Sequence, residues 1–171
     1  YPGDVRPAWQ PGRVIKSHDF TLVRIHTDEG ITGVGGMGGH LANIISGQVK
    51  PYLVGEDAFA TERLARIYRN AGSGMWCIDM ALWDIIGKVA GLPLFKLWGN
   101  YRNKIKAYAS TVEVGTSEDR AELALYYQEL GFKAMKIRIH QEKMSDDLRI
   151  VDACINATKG KMAFMVDANQ P

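Results

Sequence analysis

From Lys104 to the end of the chain, segments with a two-residue period alternate with segments of helical period, and this alternation limits the possible folds more than any other feature. "KIKAYAS" (104–110) reads as extended, and Thr116 or Ser117 then caps a helix that carries Leu123, Tyr126, Tyr127 and Leu130 as far as Gly131. "FKAMKIRIH" (132–140) is extended again, Ser145 caps a second helix through Leu148, Val151, Cys154 and Ile155, and Gly160 leads into "MAFMVDAN" (162–169). Strands joined by helices run parallel through right-handed crossovers. Two and a half such units begin either a doubly wound sheet or a (β/α)8 barrel.

The first part of the chain has a different rhythm. "YPGDVRPAWQPGR" is rich in proline and glycine and reads as an exposed loop, in which Trp9 is a candidate substrate contact. Alternation from Phe20 to His26, followed by Asp28, Glu29 and Gly30, signals a hairpin. Two helices are expected between Leu41 and about Arg69. A long helix should end at Gly91 and Pro93, its apolar density implying packing on two sides with Trp76 and Trp83 in the core. Asp79 and Asp84 on that helix read as capping or ion-paired acids. "GVGGMGG" lacks the lysine and spacing of a phosphate-binding loop and reads as a flexible loop. Residues 1–103 are therefore expected to form an α+β domain ahead of a βα domain at 104–171.

Strand alternation places Lys136, Arg138 and His140 on one face and Met135, Ile137 and Ile139 on the other. On the next strand Asp167 and Asn169 share a face. Parallel pairing would bring Lys136 and Arg138 beside Asp167 near the carboxyl ends of the strands, where α/β folds build active sites. An internal salt bridge satisfies the same pattern, although desolvation tends to cancel the Coulomb gain of such a group. Both readings stay open on the pattern alone.

Composition narrows the function classes. A formal charge of +2, from 21 basic and 19 acidic residues mixed along the chain, gives no footprint for nucleic acid or an anionic membrane. No apolar run approaches the roughly 18 residues of a membrane span. Cys77 and Cys154 stand apart among apolar neighbours, as buried thiols of a reducing compartment do. A cytoplasmic protein is expected.

Four segments, in order and spacing, resemble the mandelate racemase and muconate lactonizing branch of the enolase superfamily. They are "GEDAFATERL", "IDMALWDIIGKVAGLPLFKLWG" with Ala81, Leu82, Trp83, Asp84, Gly87, Lys88, Gly91, Pro93, Leu97 and Gly99 in register, "GFKAMKIRIH", and "MVDANQ". The resemblance runs from about Phe20 to the last residue. It implies an α+β capping domain followed by a (β/α)8 barrel, of which only the first three strands are present. A complete barrel takes about 250 residues, so the chain is expected to be part of a longer polypeptide.

The resemblance also implies chemistry: Mg2+ held by three carboxylates on consecutive strands, and removal of the proton α to a substrate carboxylate with stabilisation of the ene-diolate. Asp167 would be the first metal ligand and Asn169 a polar contact near substrate or metal. Lys136 would hold the substrate carboxylate. Arg138 stands where relatives carry a second lysine that serves as base. Arginine stays protonated and makes a poor base, which favours an acid-sugar dehydratase over a racemase, epimerase or cycloisomerase. His140 stands where relatives often have glycine and becomes a substrate contact or substitute base. Gly35 and Gly36 replace the usual Gly-Glu. The expected partners are a small carboxylate substrate and other copies of the chain in a homo-oligomer. A non-catalytic binding module is the alternative from another class, because one carboxylate cannot complete a six-oxygen Mg2+ shell and three strands leave an open edge.

Overall fold

The computed structural model describes residues 4–7, 10, 12–72 and 75–168. The chain divides into two compact units, His18–Asn103 and a second formed by Tyr1–Ser17 with Lys104–Pro171. The second unit thus takes in the opening segment that the sequence reading grouped with the first. Among the described residues, a bridge between Pro7 and Glu113 and a hydrogen bond from the Arg6 N–H to the Glu113 carboxylate at 2.6 Å join the two parts.

In the unit His18–Asn103, β1 (Phe20–His26) and β2 (Thr32–Gly38) form an antiparallel hairpin with Arg24 opposite Val34. The turn closes where Thr27 exchanges hydrogen bonds with Ile31 through its side chain and backbone, and Gly30 supplies φ 82°. Helical structure then runs through α1 (Ala42–Ile44), a π-helical stretch (Ile45–Val49) and α2 (Lys50–Leu53), followed by α3 (Thr61–Asn70). The long helix α4 (Trp76–Ala90) stops at Gly91, whose φ of 62° places it in the left-handed region, and the Leu92 N–H reaches back to the Gly87 carbonyl at 3.1 Å. A short helix, α5 (Leu94–Leu97), follows Pro93.

The glycine run is not a loop. All of it but Gly39 falls in β2, and Gly33 and Gly35 are glycine because α4 lies directly on them: a Cβ at Gly33 would overlap the Ala81 carbonyl oxygen, and one at Gly35 would overlap that of Cys77. Side chains of α4 also occupy the β2 backbone. The Asp84 carboxylate accepts the Val34 N–H at 2.8 Å and Lys88 donates to the Thr32 carbonyl at 2.6 Å, while Asp84 and Lys88 pair at 2.7 Å. Hydrogen bonding to Lys88 and to the Val34 N–H holds the Asp84 carboxyl below the usual carboxylate range.

The core of this unit gathers Val23, Leu64, Tyr68, Cys77, Ile78, Ala81 and Leu82. Tyr68 donates to Asp79 at 2.6 Å, so among the described residues the partner of Asp79 is a phenol and not a base. Burial and that hydrogen bond raise the Tyr68 hydroxyl above its ordinary value. The expectation for Trp76 is corrected: it is 56% exposed, because only the stripe of Cys77, Ile78, Ala81, Leu82 and Ile85 is buried. Trp83 is half-buried and meets Trp98 edge to face at 5.2 Å. A cleft of about 860 Å3 beside β1 is lined by Val23, Ile25, Leu82 and Val89 together with Asp28 and Glu56.

In the second unit, β3 (Ala109–Ser110), β4 (Ala134–Arg138) and β5 (Ala163–Asp167) form a parallel sheet in that spatial order, with α6 (Ser117–Glu129) and α7 (Met144–Ala157) as the crossovers. These are the three successive parallel strands expected of a barrel's beginning. Met135, Ile137, Ala124, Ile150 and Cys154 form the core between sheet and helices. Thr116 caps α6 in a reciprocal box with Asp119. Ser145 does not cap α7. The helix begins at Met144 after Lys143, and Asp147 in its first turn accepts the main-chain N–H groups of His140 and Gln141. The extended reading of 104–110 shortens to Ala109–Ser110, and Ile105 is 82% exposed. Among the described residues, no helix is long and apolar enough to cross a membrane.

Candidate carboxylate site

The face of β4 opposite the core carries Lys136 and Arg138, because Met135 and Ile137 are fully buried on the other side. Parallel pairing sets Arg138 opposite Asp167 and Lys136 opposite Met165. Both cations converge on one oxygen: Lys136 Nζ lies 3.0 Å and Arg138 NH1 2.6 Å from Asp167 Oδ2. The three side chains are 18%, 12% and 32% exposed, so the cluster is shielded yet open enough to meet a solute. Two cations meet one carboxylate oxygen on this face, at the carboxyl ends of adjacent strands.

Two residues absent from the sequence reading complete the group. Tyr108 places its ring 6.0 Å from Lys136 Nζ, at the outer limit of a cation–π contact, and Thr111 accepts Arg138 Nε–H at 3.1 Å through its carbonyl oxygen. Alternation along "KIKAYAS" places Tyr108 on the face of Ser110, the residue paired with Lys136, and was the available signal for it. Nothing in the local pattern announces Thr111.

The remaining expected site residues are not brought together by the described structure. β4 ends at Arg138, so strand alternation does not extend to His140, which is exposed with φ 155° and uses its main-chain N–H on Asp147. Trp9 and Asn169 lie outside the described residues.

A hard carboxylate oxygen such as that of Asp167 suits Mg2+ in kind. Among the described residues no group of three or more His, Cys, Asp or Glu could hold a metal ion. Cys77 and Cys154 are free and fully buried, and desolvation pushes the Cys154 thiol up to about 11. Neither is an activated nucleophile.

Residues 5–99 match the family model described as the mandelate racemase / muconate lactonizing enzyme N-terminal domain. A D-mannonate dehydratase from Sphingomonas sp. (strain SKA58) is 34% identical over 142 residues, covering 75% of this chain and 34% of that protein. An arabinonate dehydratase from Saccharolobus solfataricus is 29% identical over 169 residues, covering 88% of this chain and 45% of that protein. The crystal structure of a racemase from Streptomyces coelicolor A3(2) with bound magnesium matches with a TM-score of 0.80 at 28% identity, over 88% of this chain and 50% of that one. The chain spans about a third to a half of the length of these relatives.

Proposed function

The chain belongs to the mandelate racemase / muconate lactonizing enzyme family of the enolase superfamily, and on that premise we propose that it serves a lyase that removes the proton α to the carboxylate of an acid sugar or other hydroxy acid and expels a β-hydroxyl as water. The observation that carries this reading is the convergence of Lys136 and Arg138 on Asp167 Oδ2. The named dehydratases among its relatives support the choice of reaction.

The chemistry explains why such a face is needed. A proton beside a carboxylate is very weakly acidic, because its loss places further negative charge on a group that is already anionic. Fixed cations at the carboxylate oxygens stabilise that developing dianion without reorganising. Lys136 holds and neutralises the substrate carboxylate. Arg138 donates its planar fork to a carboxylate or hydroxyl oxygen, and being permanently protonated it does not take the proton. The α-proton therefore goes to a base other than Arg138. Asp167 would contribute one oxygen to Mg2+, which when bound supplies further positive charge at the carboxylate. Asn169, Trp9 and His140 are proposed as substrate contacts, and residues 104–171 as the start of the barrel.

A racemase, epimerase or cycloisomerase is the second reading, supported by the racemase structure that the fold matches. Arg138 weighs against it, since racemisation needs a proton acceptor on each face of the carbon. The setting proposed with either reading is a cytoplasmic homo-oligomer acting on a small carboxylate.

Incubation with mannonate or arabinonate and Mg2+ in D2O tests the proposal. A 2-keto-3-deoxy acid carrying deuterium at C3 is expected. Exchange of the α-proton without loss of water would favour the isomerase, and a substrate recovered without exchange or product from a broad set of acid sugars would rule out the lyase.

A further inference from the structure

β3 pairs with β4 over two residues only, Ala109 with Met135 and Ser110 with Lys136. Thr111, just past that pairing and 4% exposed, continues the attachment by other means. Its N–H donates to the Lys136 carbonyl at 3.2 Å, and its hydroxyl donates to the same oxygen at 2.8 Å. The hydroxyl oxygen also accepts the Arg138 N–H at 3.3 Å, and the Thr111 carbonyl accepts Arg138 Nε–H at 3.1 Å. One residue therefore holds both the main chain and the side chain of Arg138.

A hydroxyl that donates to one group and accepts from another on the same strand has little rotational freedom left. Its fixed position fixes the Thr111 carbonyl, and that carbonyl anchors the guanidinium at Nε. With Nε held, the plane of the fork is set and NH1 faces Asp167 Oδ2. An arginine anchored in this way loses less conformational freedom when it meets an anion than one that must first be ordered.

We propose that Thr111 is a positioning residue for Arg138, orienting its guanidinium toward the carboxylate site. This rests on the reading of that site given above. Thr111 does not touch the reacting atoms and acts through Arg138.

The test uses the full chain labelled with 15N and arabinonate as the probe. In the wild type the Arg138 Nε–H is expected to give a resolved signal, slow to exchange with solvent, that shifts when arabinonate is added. Thr111→Val keeps the shape and removes the hydroxyl. It is expected to speed Nε–H exchange at least tenfold and weaken arabinonate binding about tenfold, whereas Thr111→Ser keeps both near the wild type. Unchanged exchange in folded Thr111→Val, or equal loss in Thr111→Ser, would overturn the positioning role. So would fast Nε–H exchange in the wild type itself, a measurement that does not depend on any variant folding. If arabinonate leaves the wild-type signal unmoved while Thr111→Val still releases it, the carboxylate reading fails and the positioning role stands.

Discussion

Arg138 NH1 lies 2.6 Å from Asp167 Oδ2, and the two residues are direct partners across the parallel pairing of β4 and β5. The same oxygen receives Lys136, so Asp167 is the only carboxylate among the described salt bridges to face two cations. Removing its charge while keeping its shape takes the shared carboxylate away from both cations. Asp167→Asn is expected to lower stability by about 1–2 kcal/mol, less than for a fully buried pair because the side chain retains solvent contact. Urea unfolding reads the shift, and an unchanged midpoint would mean the pairing contributes nothing.

The contact of α4 with β2 predicts opposite outcomes for two glycines. A Cβ at Gly35 meets the backbone of Cys77 and Ala81, which cannot give way as a flexible side chain could, whereas at Gly47 nothing lies within 4 Å. Gly35→Ala should cost about 1–3 kcal/mol or more. Gly47→Ala, in a helical stretch, should be neutral or stabilising by up to about 1 kcal/mol. Thermal melts of the two variants would contradict this packing if they moved together.

Asp84 gives an acid-side signature. Its carboxyl is held below the ordinary value by Lys88 and the Val34 N–H, so its stabilising effect is present above the unfolded-state carboxylate pKa. That effect is lost as pH falls through the lower folded-state value. The melting temperatures of the wild type and Asp84→Asn should differ at neutral pH and converge well below about pH 4. A gap that stays constant with pH would show that the carboxylate charge is not involved.

Cys154 gives the alkaline counterpart. Burial raises its folded-state pKa to about 11 from an ordinary value of 9.0, so the neutral thiol stabilises the fold fully below about pH 9. That contribution, about 2–3 kcal/mol for a shift of this size, is lost as pH rises through 11. Cys154→Ala should carry a constant packing cost but a flatter stability profile between pH 9 and 11. Profiles of equal slope would place the alkaline transition elsewhere.

Much of the site was legible in the sequence because strand alternation is a geometric constraint. Met135 and Ile137 had to face the helices, so Lys136 and Arg138 had to face away, and parallel pairing brought Asp167 beside them. Thr111 was not legible. Its role depends on where the β3 pairing ends, and no periodicity encodes that. Trp76 misled for a related reason: an apolar helix has more than one apolar stripe, and only packing decides which is buried. The glycines of β2 misled as well, reading as a flexible loop, because what requires Gly33 and Gly35, a helix lying against the strand, is a tertiary contact.

The assignment of Lys136 and Arg138 as the carboxylate-binding pair is tested most directly by calorimetric titration of arabinonate, with Mg2+ present, into the wild type, Lys136→Met and Arg138→Met. Loss of a charge-assisted hydrogen bond predicts binding weaker by roughly tenfold to a hundredfold in each variant. Wild-type binding that persists undiminished in both folded variants would contradict the assignment.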